Sequence, residues 1–182
     1  MDPEAAPGDL EIVRQFVNTL EVESGSDTLS SPQALLAWLR ENGLLRGGAA
    51  SRRDLEAARA LREAIRALLV ENNGLSVRKE AALTLNRAAT RAGLVLRFEP
   101  SGTPRLEPSA KGVHGSLGRI LAIVAAAMAD GTWSRLKACR ADDCRWAFYD
   151  RARNHSRHWC SMEVCGNRTK ARAYRARRAA AR

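Results

Sequence analysis

Cys139, Cys144, Cys160 and Cys165 are the residues whose type and spacing point most directly to chemistry. They form two pairs, CRADDC and CSMEVC, each with four intervening residues, and fifteen residues separate the pairs. Two evenly built pairs suit a tetrahedral four-thiolate site: each closes a tight loop on the ion, and the segment between them carries the chain to its other side. The rival chemistry is two disulfides, which needs an oxidising compartment. The opening residues MDPEAAPGDLEIV are acidic and Pro-rich and lack the basic and apolar regions of a signal peptide. The longest apolar run, Ile120 to Met128, is too short for a membrane span. The expectation is therefore a cytoplasmic protein with reduced thiols and one structural Zn2+ per chain. His158 lies two residues before Cys160, but four cysteines already fill a tetrahedron, so both His155 and His158 read as surface or phosphate contacts.

Charge separates the chain into two parts. There are 30 basic and 20 acidic residues, a net charge of +10. Residues 133–182 hold 14 of the basic and 4 of the acidic residues, so the whole excess lies with the cysteines and the first 132 residues balance. Such a concentration predicts a polyanionic partner, nucleic acid before a membrane or an acidic protein.

The elements that must position the cysteines read mostly as helix. Asp9 is a candidate N-cap before the apolar stripe Leu10, Val13, Val17 and Leu20. Ser31-Pro32 opens a second helix through Leu36 and Trp38 to Gly43. Ser51 caps a third, with Leu55, Leu61, Ile65, Leu68 and Leu69 on one side and Arg62 and Arg66 on the flank. A fourth starts at Ser76 and ends before Gly93. LVLRFE and PRLEP, joined through SGT, read as a hairpin. Ser116 to Asp130 reads as a buried helix ended by Gly131, with His114 in the loop before it. This part offers no catalytic constellation, so no enzyme is expected. Its one oddity is FVNTL, where Asn18 could face a pocket or simply end the helix. Asn18 and Arg62 are the candidate residues for a small-molecule effector.

The last fifty residues hold six of the nine aromatics. A unit this small cannot bury enough apolar area to fold alone, and a metal would supply the difference. The aromatics then read as core, with Trp146 and Phe148 alternating on a short strand. After Cys165, GNRTKARAYRARRAAAR favours helix but has no apolar face. It is either a solvated tail or a groove-binding cationic helix.

The run from Cys139 to Arg178 resembles the CGNR zinc finger, named for the four residues found here as Cys165 to Arg168. The two cysteine pairs, FYD, RARN, HWCSM and the basic helix carry the likeness. FVNTL, AWLRENGLL and LREAIRALL resemble the ABATE domain that precedes such fingers. Where the finger family more often has Ser before its Arg-Asn pair, this chain has Ala152, which removes a hydroxyl from any phosphate contact there. The resemblance implies a regulator of transcription in a bacterial stress response, acting on the nucleoid.

The fold expected is mainly α with a small β-hairpin (α+β). A helical domain over 1–132, for sensing or homodimerisation, precedes a treble-clef-like four-cysteine zinc module with a terminal basic helix over 133–182. DNA is the expected partner, contacted by Arg151, Arg153, Asn154, Arg157, Arg168, Lys170, Arg172 and Arg175. RNA or the ribosome is the alternative partner. A further alternative is a small-molecule-binding helical domain with the finger as a clamp.

Overall fold

The computed structural model describes residues 5–76 and 79–180. The elements run α1 (Leu10–Val17), α2 (Pro32–Glu41), α3 (Arg52–Asn72), α4 (Lys79–Ala92), β1 (Leu94–Phe98), β2 (Pro104–Pro108), α5 (Gly112–Ala129), β3 (Leu136–Ala138), β4 (Ala147–Tyr149) and α6 (Asn167–Ala180). The start expected for α4 at Ser76 leads into residues 77–78, outside the described residues. The architecture is α+β, as the sequence implies: helices, two separate antiparallel hairpins and a cysteine-bearing module.

Local signals set the helix starts. The Ser31 hydroxyl accepts from the Ala34 N–H at 3.1 Å, with Pro32 at the first helical position. Ser51 and Asp54 form a reciprocal capping box at the head of α3. Asp9 makes no such cap, although α1 begins where expected.

The long helix α3 is the axis of the fold. Leu55, Ala58, Leu61, Ile65 and Leu69 recur at helical spacing and are buried. Val13, Phe16 and Val17 of α1 join the same core, and the Phe16 ring lies 5.4 Å from that of Trp38. Arg62 and Arg66, expected on the flank of α3, are also inside, at 3% and 5% exposure. They are tolerated there because their charges are paired and most of their donors are used, Arg66 Nε being left without a partner. Arg62 makes a two-pronged ion pair with Asp27 at 2.7 and 3.0 Å and donates to the Thr19 hydroxyl. Arg66 donates to the carbonyls of Val17 and Leu20 and to Glu63. Together they fasten the loop after α1 to α3.

Helix α5 begins at Gly112, four residues before the expected start, so His114 lies in its first turn rather than in a loop. At 18 residues and mean hydropathy 1.5 it is, by length and composition, long and apolar enough to cross a bilayer, which the reading of Ile120 to Met128 alone missed. Half of it is buried within the fold, through Val113, Leu117, Ile120, Leu121 and Val124. It packs on α1, α4 and β2 as a core helix.

The metal module does not stand apart. Trp133, Leu136, Ala138, Ala147 and Tyr149 belong to the same apolar cluster as the helices. The hairpin β3–β4 lies against α3 and α1, with Leu136 opposite Tyr149 and Ala138 opposite Ala147. A smaller cluster of Cys139, Ala141, Phe148 and Cys165 surrounds the sulfurs.

Candidate metal centre and cationic surface

The first cysteine pair sits in the turn of the β3–β4 hairpin. Cys139 follows β3, and its N–H donates to the Trp146 carbonyl at 2.9 Å, closing the turn on itself. Arg145, directly after Cys144, adopts a left-handed conformation (φ 52°) as the chain turns back into β4. The second pair is held by the head of α6. The Ser161 hydroxyl accepts from the Val164 N–H at 3.2 Å, and a wide π-type turn over Met162–Gly166 leads into the helix. Gly166 lets the turn pack closely: a Cβ would sit 2.4 Å from the Met162 sulfur and 3.2 Å from the Trp159 ring, so both side chains would have to shift.

The four Sγ atoms lie within 4.8 Å of one another. Cys144 to Cys160 and Cys160 to Cys165 are each 3.6 Å. Sulfurs each ~2.3 Å from a central ion at tetrahedral corners would be about 3.8 Å apart, so the donor set fits a shared metal. These separations are too long for S–S bonds, which are ~2.05 Å. The thiols titrate as a group. Hydrogen bonds from Cys144 and Cys160 pull Cys139 down to about 2. Donating to Cys139 pushes Cys144 up to about 12, and Cys160 is also pushed up, by Cys139 and Cys144. One thiolate thus holds its neighbours protonated. Full deprotonation requires a cation at the centre to offset the crowded negative charge.

Three asparagines dock this module on the helices, and sequence reasoning assigned none of them that task. Asn18 ends α1 and lies against β4: its Nδ2 donates to the Ala147 carbonyl at 2.9 Å, and the Ala147 N–H donates to its Oδ1 at 2.7 Å. Its amide thus imitates a neighbouring strand. Asn72 donates to the carbonyls of Trp133 and Leu136, both at 2.9 Å. Asn73, 2% exposed, donates to the Ala138 and His158 carbonyls at 2.7 and 2.9 Å and shares a hydrogen bond with His158 Nδ1. It therefore brackets the chain just before Cys139 and just before Cys160. Arg140 closes the bracket by donating to the Asn73 carbonyl at 2.8 Å. Burial, then the charges of Arg140 and Lys137, lower the His158 pKa and favour its neutral form.

Asn18 and Arg62, the candidate effector residues, both make structural contacts: Asn18 with β4, and Arg62 with Asp27 and Thr19. A groove of about 720 Å3 runs between α5 and the β1–β2 hairpin, lined by Leu10, Leu96, Leu106, Ala122 and Ala126 among others.

The loop between the cysteine pairs is organised by a buried ion pair. Lys137 donates to Asp150 at 2.7 Å, with exposures of 4% and 0%. Lys137 also donates to the carbonyls of His155 and Arg157, and Asp150 accepts from the N–H groups of Ala152 and Arg157. Every branch of the pair is satisfied, the condition under which a buried pair holds a loop in one conformation.

The cations predicted to meet nucleic acid divide into two groups. Arg157 is built into the second knuckle. It donates to the carbonyls of Trp159 and Cys160, and its guanidinium lies 4.8 Å over the Phe148 ring. Arg168 pairs with Glu23 at 2.5 Å and approaches the Cys165 sulfur at 3.6 Å, partly balancing the thiolates. Arg172 pairs with Asp143 at 2.8 Å, although it has no acidic neighbour at helical spacing. Arg151 reaches the Ala5 carbonyl and the Tyr149 ring. Asn154 accepts from Ser156. Arg153 and Lys170 are exposed and have no polar partner among the described residues, and exposed Arg175 touches only the Ala171 carbonyl of its own helix. The exposed face of α6 adds Arg177 and Arg178.

A helical domain carrying a four-cysteine metal module and a protruding basic helix defines a class: a two-part protein with a treble-clef-like metal finger at its C-terminal end. The chain belongs to the ABATE family, whose model, described as "Putative stress-induced transcription regulator", matches residues 11–131. The CGNR zinc finger matches residues 135–178. No curated protein matches the chain.

Proposed function

We propose that the protein is a DNA-binding transcription regulator whose four cysteines hold one structural zinc ion. Zinc is the metal that best suits four thiolates at tetrahedral separations. When bound, it supplies a rigid cross-link between the hairpin turn and the head of α6, and four ligands leave it no open position for catalysis. The protein on this reading is not an enzyme, and it works in a reducing cytoplasm on the nucleoid.

The observation that carries the proposal is the state of α6. From Lys170 to Ala179 every residue is exposed. The helix packs chiefly against the turn that precedes it. Over this stretch the helix buries no apolar face, its tie to the rest of the protein is the exposed Arg172–Asp143 ion pair, and Lys170, Arg172, Arg175, Arg177 and Arg178 repel one another. Seated against a duplex, the same charges neutralise phosphates. Arg153 in the inter-pair loop adds an exposed cation outside α6. Arg172 joins by exchanging Asp143 for phosphate. Arg157 does not take part, since withdrawing it would dismantle the second knuckle.

The test is a salt titration of affinity for duplex DNA. Lys170→Ala with Arg175→Ala should weaken binding, leave metal content unchanged and flatten the salt slope by about 1.8, since each lost phosphate contact removes roughly 0.9. An unchanged slope would make α6 a solvated tail. Structured RNA that competes as well as duplex DNA would favour the RNA reading instead. Metal analysis that finds no zinc after purification without chelator would remove the first half of the proposal.

A further inference from the structure

The β1–β2 hairpin has no explanation in the metal centre or the cationic surface. Its strands pair in full register, Leu94 with Pro108, Leu96 with Leu106 and Phe98 with Pro104. The flanking bonds fix which backbone groups point where. Ser109 N–H donates to the Gly93 carbonyl at 3.1 Å, and Glu99 N–H donates to the Thr103 carbonyl at 3.0 Å. Antiparallel bonding alternates, so the odd-numbered residues of β1 bond β2, and Leu94, Leu96 and Phe98 turn their N–H and C=O groups outward. β2 is the strand that lies against α5, and β1 is the outer one. Among the described residues nothing pairs with its free edge.

That edge is also apolar. Phe98 is 68% exposed, Leu96 57% and Val95 37%, and Leu106 beside them is 36% exposed. Natural proteins guard free edges with charge, proline or a bulge. Here the only charge on the strand is Arg97, and the other four residues are apolar. An edge so lightly guarded, with large apolar side chains exposed, marks an interaction surface.

We infer that β1 is the dimerisation edge: two copies pair their β1 strands antiparallel about a two-fold axis at Leu96. The product is a four-stranded sheet in the order β2, β1, the partner's β1, the partner's β2. A second copy fits because one two-fold register pairs all three outward-facing residues without opposing like charges or drawing in a proline. With Leu96 facing the partner's Leu96, Leu94 faces the partner's Phe98, so all three outward-facing residues meet outward-facing residues along the whole strand. Arg97 then faces the partner's Val95. A shift of one step toward the turn would oppose Arg97 to the partner's Arg97 and bring Pro100, which has no N–H, into the ladder. A shift the other way would draw Ala92 of α4 into the strand. A shift of odd parity would match outward groups with ones already bonded to β2. An antiparallel edge also meets the demand of two-fold symmetry that each contact occur twice.

Charge favours the same occupant. The first 132 residues carry no net charge, whereas the cysteine-bearing end carries the excess of +10. Joining two copies through the hairpins unites their neutral parts rather than their cationic fingers.

Sedimentation equilibrium of the full-length, metal-loaded protein tests this independently of any DNA. The wild type should be a dimer. Leu96→Glu and Leu96→Lys should each weaken association by roughly a hundredfold, because each places like charges opposite one another at the axis. Circular dichroism should be unchanged in both, since Leu96 is exposed in one copy alone. Mixing the two variants one to one should restore the dimer, because Glu then faces Lys. A monomeric wild type overturns the inference. So does a dimer that survives in both variants, which would lie at another surface, and so does failure of the mixture to reassociate, which would mean that residue 96 does not face its own copy.

Discussion

Replacing Asn18 by Ala separates a docking role from a ligand-contacting one. Its amide makes two hydrogen bonds to a single residue, Ala147, at 2.7 and 2.9 Å, and Ala147 is fully buried in the seam between β4 and α1. Truncation leaves one N–H and one C=O of the main chain without partners at a site where water has little access. Each unpaired buried group costs about 1–3 kcal/mol. Asn18 itself is half-buried, which allows partial hydration of the gap, so the expected loss is about 2–4 kcal/mol. Against the usual ~5–15 kcal/mol of a folded domain that is a large fraction. The melting temperature of a chain this size should fall by roughly 5–12 °C. The assay is urea unfolding of the zinc-saturated protein, followed by far-ultraviolet circular dichroism and by tryptophan fluorescence, for which Trp146 beside Ala147 is a local reporter. Asn18→Asp should not rescue: it keeps an acceptor for the Ala147 N–H but sets a carboxylate against the Ala147 carbonyl. A loss below about 0.5 kcal/mol, the size of an ordinary surface substitution, would refute the reasoning and return Asn18 to the role of a ligand contact.

Other perturbations test the remaining parts. Cys165→Ser should abolish stoichiometric zinc by metal analysis and melt the knuckles and α6, with damage extending into the helical core, because Leu136 and Tyr149 of the hairpin belong to that core. Burial pushes the Asp150 carboxyl up, but the Lys137 ammonium and the Ala152 and Arg157 N–H groups more than reverse this, and its pKa lies below the ordinary value. Its contribution to stability is therefore present above the unfolded pKa of ~3.9 and lost as pH falls through the lower folded value. Asp150→Asn should remove that component, seen as a narrowing gap between wild-type and variant melting temperatures on acidification; a gap constant with pH would show that the Lys137–Asp150 pair is not the source. Glu23→Gln frees Arg168 from its ion pair, so DNA should bind more tightly and with a steeper salt dependence. Unchanged affinity would mean that Arg168 stays turned toward Asp143 and the sulfurs.

The metal site and the axis of charge were legible before any fold was known. Cysteine pairs with equal four-residue gaps encode their geometry locally, because each pair needs only its own turn to bring two sulfurs together. Ser31-Pro32 and Ser51 with Asp54 likewise act within a few residues, so the starts of α2 and α3 could be read directly. Net charge sums along the chain regardless of fold, and that placed the excess in the last fifty residues. How the module is held, and which cations remain available, depended instead on contacts between distant parts of the chain. Asn18 and Ala147 are 129 residues apart, and the reaches of Asn73 to Ala138 and His158 are 65 and 85. In each case the amide pairs with main-chain groups, which every residue carries, so no side-chain type marks the partner in the sequence. For the same reason Arg157 and Arg175 looked alike: what distinguishes them is that the carbonyls of Trp159 and Cys160 and the ring of Phe148 converge on one, whereas the other meets only a carbonyl of its own exposed helix.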